Sequence, residues 1–266
     1  MNIMEPGQLF VEQSNQMKKE SYLIDGKSYT AAETKKVLSA GSLGKREQVA
    51  LSLVDNTDPN QTIVDLGCLY GFFSKKLKEK FPNSKIIAGD YLDEHLKIAR
   101  LINPDITPIF QELNAYKLDL EDSSIDTLTF QEVIEHLEGA ATAIKEINRV
   151  LKVGGILILS TPTAYYWRDM WQAIKYELLR KYFKKNLPLS DSIYFQEHEW
   201  NRHIYCWTPS TLYTLLKVNG FEYVAHDYCQ DGQSFFEKLV LKIFPFLSPT
   251  IIIKVKKTSS APSKLV

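Results

Sequence analysis

The order of hydrophobic and polar positions predicts strands and helices in alternation. Ile63, Val64 and Leu66 form an apolar run too short for a helix and bounded by turn residues, the pattern of a strand buried on both faces. Gly67 and Gly71 follow, and a helix is expected over 72–80, closed by Phe81-Pro82-Asn83. The alternation continues with a strand over 85–89 ending in Asp90, a helix over 93–102, and strands over 106–110 and 125–130. A helix over 140–151, closed by Gly154-Gly155, leads to a fifth strand over 156–160. Further on come a helix over 209–218 capped by Asn219-Gly220, a strand over 221–228, a helix over 234–244 and a last strand over 251–255. Upstream, Val49, Ala50, Leu53 and Val54 keep helical spacing from Ser42 until Asp58-Pro59. Such alternation predicts an α/β fold, a doubly wound and mostly parallel sheet with helices on both faces.

Three stretches lie outside the rhythm. Residues 1–41 are polar with no sustained period and read as an N-terminal arm or a lid over substrate, the first twenty as a mobile arm. Residues 163–200 hold an aromatic, basic helix over 165–185 and then a polar loop; between Arg168 and Lys185 stand six basic residues against two acids. Residues 258–266 read as a flexible tail. The main domain is therefore expected over 42–257, with 163–200 as an insert.

Composition adds limits. Apolar residues make up 44% of the 266, ample for a sizeable core. Lys+Arg and Asp+Glu balance at 32 each, so no global field recruits nucleic acid or an anionic membrane. Three unpatterned cysteines argue for a reducing compartment. No basic-then-apolar leader and no membrane-spanning apolar run stand out, so a cytoplasmic location without membrane insertion is expected.

The stretch 62–71 carries the first chemistry. Two glycines four apart let a backbone turn closely around a ligand, and the following helix points free N–H groups at an anionic or polar group. Asp65 at the strand end could accept an amine. A nucleotide-like ligand is expected here. The order Val64-Asp65-Leu66-Gly67-Cys68-x-x-Gly71, Gly89-Asp90, Asn114-Ala115, Ile125-Asp126, residues 150–162 and the stretch from Thr208-Pro209 to Gly220-Phe221 resembles the class I S-adenosylmethionine-dependent methyltransferases. That resemblance implies a seven-stranded Rossmann-like sheet whose last strand is inserted antiparallel, S-adenosyl-L-methionine as cofactor, and a site at the strand carboxyl ends. It implies Asp65, Gly67, Cys68 and Gly71 around the methionine end, Asp90 and Tyr91 at the ribose, Asn114 and Ala115 near the adenine, and Gln131 beside the cofactor. Many members carry a third glycine where this chain has Leu69, a residue at odds with positive φ.

Glu132, Glu135 and His136 would share one face if their segment is helical, a set able to hold Mg²⁺ or another divalent metal. The segment resembles ubiquinone O-methyltransferases and small-RNA terminal 2′-O-methyltransferases, the latter adding a histidine shortly before Trp-Thr, here His203. His136 and His203 are the catalytic candidates; Glu132, Glu135, His136 and His203 are the metal candidates. Tyr165, Tyr166, Trp167 and Arg168 are expected to wall the substrate, and His95 and His226 to be structural. The activity expected is methyl transfer to a small-molecule acceptor at a hydroxyl oxygen, on a sugar or secondary metabolite. A metal-dependent RNA ribose 2′-O-methyltransferase and an inert methyltransferase-fold partner subunit are the alternatives.

Overall fold

A computed structural model describes residues 21–24, 27–38, 43–55, 58–104, 109–183, 203–229 and 234–259. A hairpin of β1 (Ser21–Ile24) and β2 (Lys27–Thr30) leads into α1 (Ala31–Leu38) and α2 (Lys45–Leu53). Then come β3 (Thr62–Leu66), α3 (Phe72–Lys80), β4 (Lys85–Asp90), α4 (Asp93–Ile102), β5 (Ile109–Glu112) and β6 (Ile125–Gln131). After a 3₁₀ turn (Ile134–His136) follow α5 (Ala140–Val150), β7 (Leu151–Pro162) and α6 (Trp167–Phe183). The chain closes with α7 (Pro209–Val218), β8 (Phe221–Cys229), α8 (Phe235–Ile243), a 3₁₀ turn (Pro245–Leu247) and β9 (Thr250–Lys257).

The main sheet has seven strands in the order β5-β4-β3-β6-β7-β9-β8. β9 lies antiparallel between β7 and β8, and the other neighbours pair parallel. The order reverses between β3 and β6, so the crevice at their carboxyl ends is where a doubly wound sheet binds its ligand. Alternate strand residues feed two cores. Val64, Leu66, Leu128 and Phe130 pack with Ile144 and Ile147 of α5 and with Leu212 and Leu216 of α7. Ile63, Ile86, Ile158 and Ile252 face Ala50 of α2 and Phe73 and Leu77 of α3. Burial on both faces is why these strands read as continuous apolar runs.

Two expectations about elements change. Residues 21–38 are not a featureless arm: Tyr22 and Ile24 point inward from β1 and pack against Ile98 and Leu101 of α4. Four residues, with apolar Leu23 facing outward, are too brief an alternation to stand out in sequence. The third strand is described over Ile109–Glu112, and the expectation for 106–108 lies outside the described residues. Gly154 and Gly155 do not close a helix but lie within the twelve residues of β7. The register with β6 shifts there, and a Cβ on Gly155 would come within 2.8 Å of the Lys152 carbonyl. The expectations for residues 1–20, for the polar loop of the insert, and for the end of the tail lie outside the described residues. Thr258 is bound to the Gly220 carbonyl.

Lys257, at the end of β9, is almost wholly buried, and its ammonium donates to the carbonyls of Asn148 and Leu151 at 2.6 and 2.7 Å. These carbonyls end α5, where the helix dipole favours a cation. Lys257→Met would leave both without that donor and is expected to destabilise the protein by about 1–3 kcal/mol, as read from urea unfolding. An unchanged midpoint would remove the lysine from the account of how α5 ends.

Candidate functional site

The turn after β3 is built by backbone. Gly67 adopts φ +80°, and its N–H and that of Cys68 donate to the Gly89 carbonyl at 2.7 and 2.9 Å, tying the end of β3 to the end of β4. A Cβ on Gly67 would stand 2.4 Å from a Val133 methyl. Gly71, at φ +75°, caps α3 against the ring of Phe110. Leu69 does occupy a left-handed conformation, φ +49°. The strain, roughly 1–2 kcal/mol, is offset by a hydrogen bond from its N–H to the Asp90 carboxylate at 2.9 Å. Its side chain lies at the exposed rim, so leucine alters the mouth of the site and leaves the turn intact.

Asp90 ends β4. Burial opposes its charge, yet bonds from His95 (2.9 Å), the Leu92 N–H (3.0 Å) and the Leu69 N–H hold its carboxyl below the usual range. His95 therefore does more than occupy a helix surface, and it also borders the cavity. Asp65 lies deeper. Burial raises its pKa to about 6 despite hydroxyl donors from Ser74 (2.5 Å) and Thr129 (2.9 Å), one on each carboxylate oxygen. Asn114 lines the cavity with Ala115, and its side-chain oxygen accepts the Tyr116 N–H at 2.9 Å. Tyr91 stands exposed on the rim.

Past β6 the chain departs from the expected helix. Glu132 takes φ +53°, and only Ile134–His136 form a turn, so there is no common helical face. Glu132 turns instead to the Ser160 hydroxyl (2.9 Å) and to Arg46 (3.4 Å). Glu135 is fully buried; one carboxylate oxygen accepts the Thr161 hydroxyl at 3.0 Å, and the other has no hydrogen-bond partner and lies 3.9 Å from His136 Nε2. Burial, and then the charge of Glu132, push its pKa up to about 8. The Glu135 carbonyl accepts the N–H groups of Ile204 (2.7 Å) and Tyr205 (3.2 Å), and the Tyr205 hydroxyl donates to the Glu138 carbonyl. This strap brings His203 against His136, with ring centroids 4.9 Å apart. Burial, and then any charge on His136, hold the His203 imidazole below its ordinary pKa. Ligating atoms of Glu135, His136 and His203 lie within 4.8 Å of one another; Glu132 is not in that group.

All of this borders one cavity of about 830 Å³ that reaches from Gly67, Cys68 and Asp90 to Glu135, His136 and His203. Tyr165, Tyr166, Trp167 and Arg168 do not line it. Trp167 and Arg168 donate instead to the buried carboxylate of Glu237 in α8, at 3.3 and 2.9 Å, which pins the first turn of α6 outside the chamber. Arg46, in the first turn of α2, lines the cavity and has a buried Nε without an acceptor; no sequence motif marked it. Gln131 also lines it, with an unpartnered buried side-chain oxygen.

Asp65 sets a pH dependence of stability. Its pKa is about 6 in the fold against an ordinary value near 3.9 in the unfolded chain. The native state thus binds more protons between those values, and this contribution to stability falls as pH rises through about 6. Comparing wild type with Asp65→Asn by urea unfolding, the wild-type advantage should drop by about 2–3 kcal/mol from about pH 4 to about pH 7. A constant difference would place the Asp65 pKa at its ordinary value.

A family described as "Methyltransferase domain" matches residues 64–159, from the strand that carries the glycine turn into β7. The trans-aconitate 2-methyltransferase of Azoarcus is 30% identical over 108 residues, 41% of this chain and 42% of that protein. The malonyl-[acyl-carrier protein] O-methyltransferase of Hahella chejuensis is 26% identical over 150 residues, 55% of this chain and 53% of that protein. The matched region thus spans about half the length of these curated relatives. Among solved structures, an S-adenosylmethionine-dependent methyltransferase from Mesorhizobium loti superposes with a TM-score of 0.59 at 17% identity, over 80% of this chain and 98% of that one, a likeness of fold. The domain match thus lies on this strand order and this glycine turn, and over residues 64–159 the chain is similar to a methyltransferase domain.

Proposed function

We propose that this chain transfers a methyl group from S-adenosylmethionine to a small-molecule acceptor, at a hydroxyl oxygen of a sugar or secondary metabolite. The observation that carries the reading is the single cavity that joins the Gly67 turn and Asp90 to Glu135, His136 and His203. A volume of about 830 Å³ suits a nucleoside-sized donor beside a small acceptor. The relative that acts on trans-aconitate, a small organic molecule, supports the same class of acceptor.

The residues fit the donor. Asp90, held ionised, suits a pair of ribose hydroxyls. The unpartnered Gln131 oxygen suits an ammonium, and the Arg46 guanidinium suits a carboxylate. S-adenosylmethionine supplies a methyl group activated by a sulfonium. The protein's share is alignment, exclusion of water and handling of the acceptor proton. A neutral His203, or its neighbour His136, can take a hydroxyl proton at a ring nitrogen, and the Thr161–Glu135 contact keeps a buried carboxyl group beside the pair.

One observation favours a second reading of the same end. Glu135, His136 and His203 could hold a divalent ion. Two imidazoles and one carboxylate suit a transition metal or zinc better than Mg²⁺, which prefers oxygen ligands. Bound there, a metal would supply Lewis-acid stabilisation of an acceptor alkoxide.

Asp90→Ala should weaken S-adenosylmethionine binding by about tenfold or more in calorimetry, the loss of charge-assisted hydrogen bonds; unchanged affinity would contradict the ribose role. His136→Ala should keep donor affinity within about twofold and lower turnover by roughly 10²–10⁴. Wild-type turnover in that variant would dismiss both readings of His136. A chelator should leave wild-type rates intact if the histidines act as bases, and abolish them if a metal does the work.

A further inference from the structure

The aromatic, basic insert is left without a role once α6 lies outside the cavity. Met170, Trp171, Ile174, Leu178 and Tyr182 are all exposed, Trp171 by 59% and Tyr182 by 65%. At roughly 100° per residue these five fall within about a third of the helix circumference. On the same wheel Lys181 falls within that stripe, Lys175 and Glu177 flank its two edges, all three exposed, and Asp169 sits off it. The Lys181 ammonium lies 5.2 Å from the Tyr182 ring centroid.

The stripe continues beyond α6. Trp167, one turn before Trp171, is fastened with Arg168 to Glu237 in the first turn of α8. Glu237 and Leu241 face inward, so the outer side of α8 presents Leu239 and Ile243 beside Lys238 and Lys242. Phe244 and Phe246 follow at its end, edge to face and both nearly half exposed. Large apolar side chains gathered on a joined pair of helices are unusual on a surface that meets only water.

We propose that the joined outer faces of α6 and α8 form a docking surface for an anionic lipid bilayer, on which the protein lies peripherally. Aliphatic and aromatic side chains interspersed with an excess of lysines are the pattern of a helix resting in the headgroup region, with the lysine stems reaching out to lipid phosphates. No described helix is long and apolar enough to cross a membrane, so the contact is one of surface. Four exposed lysines (Lys175, Lys181, Lys238 and Lys242) against Glu177 argue against the same face pairing with a second copy, which would bring like charges together. The aliphatic centre argues against RNA, which would be met by a cationic face with stacking aromatics.

The test is flotation of the purified full-length chain with vesicles of phosphatidylcholine, alone or mixed with phosphatidylglycerol. Wild type should float with the mixed vesicles and far less with the neutral ones. Ile174→Asp combined with Phe244→Asp should abolish flotation. Lys175→Gln combined with Lys181→Gln should weaken it by roughly fivefold per lysine removed. All four positions are exposed and border no part of the donor cavity, so donor binding by calorimetry should stay at wild-type level in every variant and certify the fold. Flotation retained in the aspartate variant would overturn the proposal. So would a wild type that ignores both vesicles, whether sedimentation then shows a dimer broken by the same variants or filter binding shows RNA retained by the lysines. The readout does not depend on methyl transfer, so the proposed activity and the docking surface stand or fall separately.

Discussion

The site depends on a backbone joint between two parallel strands. The amides of Gly67 and Cys68 close on the Gly89 carbonyl, and the Leu69 amide closes on the Asp90 carboxylate. Together they hold the turn after β3 against the end of β4 at the point where the sheet changes direction. The geometry needs left-handed backbone at positions 67, 69 and 71. At 67 a side chain would strike Val133, so the glycine is required by both conformation and space. The same joint explains why Asp90 stays ionised while Asp65, two residues before the turn and enclosed, does not do so readily.

The opposite end of the cavity is assembled differently. It rests on a short turn after β6 and on a strap some seventy residues further along the chain, joined through the Glu135 carbonyl. A second fastening lies behind the strap, where the Ala164 N–H donates to the Trp207 carbonyl at 2.8 Å. His136 and His203 meet because of these backbone bonds, with no helix of their own to align them. Among the described residues after β7, those of α6 do not line the chamber, and His203 does.

Much of this was legible in the sequence, and the reasons differ by element. Buried parallel strands announce themselves as apolar runs, so β3, β4 and β6 were readable, and α3, α4 and α7 fall on the expected residues. Asp90 and the glycine turn followed from their places at strand ends. The Glu132–Glu135–His136 arrangement did not, because residue spacing assumes a helix where the backbone instead takes a positive φ at Glu132. Residues 165–168 read as a substrate wall because they follow β7; of these, Trp167 and Arg168 turn to a buried carboxylate on a distant helix, a contact no sequence signal announces. Arg46 and His95 carry no motif, and only tertiary packing brings them to the cavity.

The central claim is that the turn at 67–71 and Asp90 together hold an adenosyl donor. Calorimetric titration of the purified chain with S-adenosylmethionine, and then with S-adenosylhomocysteine, tests it most directly. The account predicts saturable binding of both at one site per chain, each ligand displacing the other. An absence of binding heat across temperatures, with the chain folded, would contradict it.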